Sequence, residues 1–141
     1  MPDVSVLKPP ANNQLLASLP PEVADVLQSR FEVVDLPAGT TLYEAGTDLR
    51  HVYFPTDSIV SLLYVLEDGA SSEISVVGNE GLVGISLFMG GESTPSRAVM
   101  RSAGIAYRFE AQRLKNEFNR HGDLLVLMLR YTQALITQMS L

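Results

Sequence analysis

Between Phe31 and Phe109 the chain is built of short β-forming runs separated by turns, and this rhythm limits the fold more than any other feature. The runs at residues 31–36, 40–43, 50–54, 58–66, 71–77, 96–101 and 105–109 are rich in Val, Ile, Leu, Tyr and Phe. Between them stand Pro37-Ala38-Gly39, Glu44-Ala45-Gly46-Thr47-Asp48, Pro55-Thr56-Asp57, Glu67-Asp68-Gly69, Gly78-Asn79-Glu80-Gly81 and Ser102-Ala103-Gly104. Pro presets a turn dihedral, Gly opens the left-handed region, and Asn and Asp hydrogen-bond their own backbone. Many short strands at this spacing predict a sandwich or barrel.

Helical patterns flank the strands. Asn12 and Asn13 offer caps for a helix over residues 14–19, and Pro20-Pro21 ends it and opens a second, with Glu22 and Asp25 near its positive end. On that second helix Val23, Val26 and Leu27 share a face. After the strands, Leu114 and Phe118 stand four apart in an amphipathic segment that begins at Glu110 and ends over 119–122. Asp123 is expected to cap a last helix over 124–141, in which Leu125, Met128, Thr132, Leu135 and Met139 recur at three-and-four spacing. Such a row, on a helix apolar on more than one side, predicts pairing with a second copy of the chain. Met128 and Met139 are read as packing groups of that seam rather than sulfur sensors.

A chain of 141 residues fits one domain, divided here into a lead-in over 1–11, the β-unit with its short helices over 12–122, and the start of a long, apparently truncated helix over 123–141. The net charge is −6 and the ten Lys and Arg are scattered, so this stretch is not expected to bind nucleic acid itself. The absence of Cys removes disulfides, thiolate metal sites and a Cys nucleophile. No apolar run reaches the ~20 residues of a membrane span, and a cytoplasmic location is the expectation. His51 and His121 stand outside any ligand spacing, so neither metal nor catalysis is expected.

Leu36-Pro37-Ala38-Gly39-Thr40-Thr41-Leu42-Tyr43-Glu44-Ala45-Gly46, then Val52-Tyr53-Phe54 with Ser58-Ile59-Val60-Ser61-Leu62, and then Gly81-Leu82-Val83-Gly84-Ile85-Ser86-Leu87-Phe88 with Ser96-Arg97-Ala98, follow an order that resembles the effector domain of the Crp/Fnr bacterial transcription regulators. The resemblance implies a mainly β fold with flanking helices, a double-stranded β-helix or jelly-roll of the cyclic-nucleotide-binding type that ends in a long dimerisation helix. It implies a small-molecule effector, in many relatives a cyclic nucleotide, a homodimer, and a helix-turn-helix domain that this chain does not contain. No other cofactor is implied.

The same resemblance places the phosphate-binding cassette at residues 81–98, with Gly84, Ile85, Ser86, Ser96 and Arg97 as candidate ligand contacts. It puts contacts to a base near Met139 and Ser140. From the residues alone, Glu73, beside Ser71 and Ser72 on a strand, is a candidate polar wall. Two departures bear on the ligand. The family's Gly-Glu-Leu carboxylate is replaced by Ile85, and its Arg-Ser-Ala is matched by Ser96-Arg97-Ala98, with hydroxyl and guanidinium exchanged. Neighbouring strand residues face opposite ways, so the exchange is expected to carry the cation across the sheet unless a bulge compensates. The bland reading gives Arg97 an ion pair with Glu80 or Glu92, Glu73 a solvent face, and Gly78, Gly81, Gly84, Gly90 and Gly91 ordinary turns. Two rival classes stand beside the sensor. One is an interaction module that dimerises without a ligand. The other is a cupin-like enzyme, for which the paired His-x-His is missing because Val52 and Tyr53 follow His51.

Overall fold

A computed structural model describes residues 12–28, 30–88, 94, 96–120 and 122–139. Helices α1 (Gln14–Ala17) and α2 (Pro21–Gln28) precede strands β1 (Glu32–Leu36), β2 (Thr41–Tyr43), β3 (His51–Pro55), β4 (Ile59–Val65) and β5 (Ser71–Val77). A 3-10 turn (Ile85–Phe88), β6 (Arg97–Ser102), β7 (Gly104–Glu110), α3 (Ala111–Arg120) and α4 (Gly122–Met139) follow. The strands form two antiparallel sheets, one ordered β1-β7-β3 and the other β2-β6-β4-β5. The chain therefore passes between sheets as it winds, which is the expected β-roll.

Burial explains the layering. Tyr107 and Phe109 of β7, with Val52 and Phe54 of β3, pack on Leu15, Leu16, Leu27, Leu114, Phe118, Leu124 and Met128 from the helices. Tyr53, on the other face of β3, joins Val60, Leu62, Val77, Ala98 and Met100 of the second sheet. The three-stranded sheet is thus covered on both sides, which is why Val52-Tyr53-Phe54 is an uninterrupted apolar run rather than an alternating one. Phe31 and Phe54 finish the helical side with edge-on ring contacts at centroid distances of 5.1 Å to Tyr107 and 5.3 Å to Phe109. Arg30, just past α2, reaches Glu117 of α3 at 3.7 Å and ties those helices together.

The boundaries differ from expectation at a few ends. α1 stops at Ala17, ahead of Pro20, and its cap is Asn13 alone. α4 starts at Gly122, two residues before the expected 124, so Asp123 lies inside the helix instead of capping it. The side chains of Val23, Val26 and Met139, together with Gly90, Gly91, Glu92, His121 and Ser140, lie outside the described residues.

One buried side chain joins distant parts of this frame. Asn13 Oδ1 accepts from the Leu16 amide at 3.0 Å, while its Nδ2 donates to the carbonyls of Pro55 at 2.8 Å and Gly81 at 2.9 Å. The Gln14 amide adds a bond to Asn79 O at 2.7 Å. Replacing Asn13 by Ala removes the cap and orphans two buried carbonyls, so Asn13→Ala is expected to cost about 2–4 kcal/mol in a urea unfolding titration.

Candidate functional site

The segment from Gly78 to Phe88 is shaped by three contacts. Gly78 opens a turn in which Glu80 Oε1 accepts from the Gly78 amide at 3.1 Å. Val83 then pairs with Tyr53 through two backbone bonds, Val83 N to Tyr53 O at 2.7 Å and Tyr53 N to Val83 O at 3.0 Å. Gly84 follows at φ +122°, where a Cβ would lie 3.2 Å from both Leu49 and Val52 side chains. Only Gly fits that conformation and that closeness. The chain next turns through residues 85–88, with Ile85 packed against both cores and Ser86 buried. The position where the resemblance implies a ribose carboxylate holds an apolar side chain wedged between the two cores.

Strand β6 decides the fate of the guanidinium. Ala98 and Met100 are buried and face the roll, so Arg97, Val99 and Arg101 face outward by alternation. Arg97 Nε meets Glu44 Oε2 at 2.8 Å, with the two side chains 32% and 50% exposed. Among the described residues its partner is therefore Glu44 rather than Glu80, and Glu92 lies outside the described residues. The register shift that pairs Thr41 with Val99 and Tyr43 with Ala98 has its extra residue in β2, and the one between Ile59–Ser102 and Val60–Met100 has its extra residue at Arg101, so both leave the alternation of residues 97–100 intact. Glu73 stands on the same outer surface, where it accepts from Ser61 Oγ at 2.6 Å and lies 3.7 Å from Arg101. Of the candidate contacts, Gly84, Ile85, Ser86 and Ser96 belong to the cassette and roll interior, whereas Arg97 and Glu73 are on the outside.

Phenols take the place of the charged clamp. Tyr43 of β2, Tyr53 of β3 and Tyr131 of α4 converge near the cassette, all packed in or against the core of the second sheet. Ser96, turned inward, lies beside the Tyr43 hydroxyl and Arg108 beside that of Tyr53, each favouring the phenolate slightly against burial, and the Tyr131 hydroxyl donates to Leu82 O at 3.3 Å. Burial pushes Tyr43 and Tyr131 up to about 12, and burial raises Tyr53 as well. At the rim Arg108 is held by Glu32 at 2.8 Å, a bond that lowers the Glu32 pKa and raises that of Arg108. His51, shielded from water and facing Arg108 and Arg50, has its pKa lowered. A cleft of about 570 Å³ opens on this flank beside Tyr43, Thr47, Asp48, Arg50 and His51.

Helix α4 is used differently from the expected seam. Met128, Thr132 and Leu135 are buried within their own chain, and Leu125 is half-buried against the first core. Leu124, Met128, Tyr131 and Leu135 make the inward row at four-three-four spacing, and Thr132 Oγ1 bonds back to Met128 O at 2.8 Å. Among the described residues the large outward apolar side chains of α4 are Val126, 47% exposed, and Leu129, 43% exposed. Beside them a groove of about 290 Å³ runs between Ser18, Pro20, Val126, Leu127 and Arg130. That inward spacing was the available signal for Tyr131, which a purely apolar count passes over. Among the described residues no three His, Cys, Asp or Glu converge to hold a metal, and no helix is long and apolar enough to cross a membrane.

Comparison with known proteins agrees with this geometry. The family described as the cyclic nucleotide-binding domain has a model that matches residues 33–121. The N-terminal domain of a transcriptional regulator from Streptomyces coelicolor A3(2) is similar at 25% identity and TM-score 0.64, over 91% of this chain and 90% of that one. The c-di-GMP responsive global regulator CLP of Xanthomonas campestris is similar at 14% identity and TM-score 0.72, over 84% of this chain and 60% of that one. The regulatory subunit of a cAMP-independent protein kinase A from Trypanosoma brucei is similar at 15% identity and TM-score 0.74, over 87% of this chain and 44% of that one. The chain thus spans less than two thirds of the last two proteins. No curated protein matches by sequence.

The phenols supply a direct check. In an alkaline absorbance titration Tyr43 and Tyr131 should ionise near 12, after the ordinary value of 10 has been passed. The unfolded chain sheds these protons first, so stability is unchanged by these groups below about pH 10 and falls as pH rises from about 10 to 12.

Proposed function

Because the chain belongs to the cyclic nucleotide-binding domain family, we propose that it is the effector-sensing and dimerisation part of a Crp/Fnr-type transcription regulator, acting in the cytoplasm and without catalysis. In this reading the roll responds to a small molecule, α4 pairs two copies, and DNA is bound by a helix-turn-helix domain of the full-length regulator. The observation that carries it is the direct seating of α4 on the cassette, through Tyr131 on Leu82, so that whatever alters the roll interior alters the helix.

The ligand we infer is not one held by the family's cyclic-nucleotide clamp. Ile85 offers no acceptor for a ribose hydroxyl, and Arg97 is paired with Glu44 on the far side of β6. Two missing hydrogen bonds to charged groups, at ~1.5–3 kcal/mol each, weaken binding by roughly a hundredfold or more. The similar folds named above carry different effector descriptions, c-di-GMP responsive in one and cAMP-independent in another, so the roll alone does not set the ligand.

Thermal unfolding with cyclic AMP, c-di-GMP and fractionated cell extract tests the sensor. The expected result is no shift from cyclic AMP at micromolar concentration and a saturable rise from an extract fraction, since a ligand of the native state stabilises it by mass action. No rise with any of them would favour the ligand-free interaction module. Dimerisation is tested separately by sedimentation at micromolar protein. The wild type should contain two copies, and Leu129→Glu, which changes an outward residue without touching the core, should give a folded monomer. A monomeric wild type would contradict the pairing.

A further inference from the structure

The interior of the roll receives a side chain from outside it. Tyr131 belongs to α4, yet its ring packs against both cores and lies over Gly81, where an added Cβ would run into the ring and its hydroxyl. Gly81 is absent from the positive-φ glycines, so nothing in its backbone conformation demands Gly there. What demands it is the phenol. The hydroxyl is satisfied by Leu82 O at 3.3 Å, next along the chain from the carbonyl that Asn13 binds. The ring therefore has a built seat: a floor at Gly81, an acceptor at Leu82, and apolar neighbours in the core that holds Val83 and Leu135.

The electrostatics of that seat favour a neutral occupant. The Glu80 carboxylate is close enough to disfavour the phenolate, and burial does so more strongly. Arg97, which would balance an anion, is outside with Glu44, and Arg108 is taken up by Glu32.

We propose that this seat is a binding site for an uncharged ring bearing one hydroxyl, filled in the ligand-free protein by the chain's own Tyr131, so that such a ligand and α4 compete for it. Displacing the ring removes the hydrogen bond and packing that hold this stretch of α4 to the cassette, and the helix loosens. The inference rests on the reading of α4 as the output element, and it names the chemistry and the switch of that same site.

The test uses the whole chain and p-cresol, the tyrosine side chain as a free molecule. Tyr131→Ala vacates the seat and should gain a saturable rise in melting temperature of roughly 2–5 °C with millimolar p-cresol. Wild type, with the seat filled, and the Gly81→Ala/Tyr131→Ala double variant, with the floor blocked, should gain none. Equal shifts in all three, or none in Tyr131→Ala, would overturn the site. Gly81→Ala alone should evict the ring, and amide exchange over residues 128–135 should quicken about tenfold or more. Unchanged exchange would overturn the latch. If Gly81→Ala does not fold, restored folding in the double variant identifies the ring as the obstacle, and a double variant that also fails shows that the Cβ clashes elsewhere. None of these readings needs the natural effector or a second copy, so a monomeric wild type would end the pairing scheme while leaving them intact.

Discussion

Residues 81 and 82 carry two carbonyls that hold the functional half of the molecule in place. Asn13, from the amino-terminal side, donates to Gly81 O, and Tyr131, from α4, donates to Leu82 O. One residue on, Val83 is stitched to Tyr53 by two backbone bonds. Buried carbonyls without donors are expensive, so each of these partners is strongly preferred once the segment is inside. The consequence is geometric. The cap of the first helix, the three-stranded sheet and the last helix all meet at the opening residues of the cassette, and a shift at residues 81–84 cannot leave α4 unaffected.

The chemistry of the cassette follows from two side-chain choices. A β-strand has period two, so exchanging Ser96 with Arg97 turns a hydroxyl inward and a cation outward. Ser96 then lies beside the Tyr43 phenol, while Arg97 makes an exposed ion pair of the kind that contributes little to stability. Ile85, in place of a carboxylate, joins the two cores. A site that hosts cyclic phosphates needs fixed positive charge near the anion and an acceptor for the sugar. At the corresponding two positions a hydroxyl stands inward at Ser96 and an aliphatic side chain at Ile85.

Much of the fold was legible because strand alternation and turn chemistry are local. Leu36-Pro37-Ala38-Gly39 and Glu67-Asp68-Gly69 announce their turns, and the outward placement of Arg97 follows from counting by two. The use of α4 was not legible to the same degree. A row of apolar residues at helical spacing looks the same whether a second copy or the chain's own sheet covers it, and Met128, Thr132 and Leu135 turn out to be covered by the latter. Asn13 was readable as a helix cap, yet its bonds to residues 42 and 68 positions away depend on the assembled roll. Tyr131 was missed for a related reason: its value lies in Gly81, a residue that alone signals only a turn.

The account stands on mechanical coupling between Asn13 and Tyr131 through the segment they share, and a double-mutant cycle measures it most directly. Asn13→Ala, Tyr131→Phe and the double variant would be unfolded in urea alongside the wild type. Coupling through adjacent carbonyls predicts an interaction energy of about 0.5 kcal/mol or more. Losses that simply add, to within about 0.3 kcal/mol, would show that the amino-terminal helix and α4 grip the cassette independently and would contradict the account.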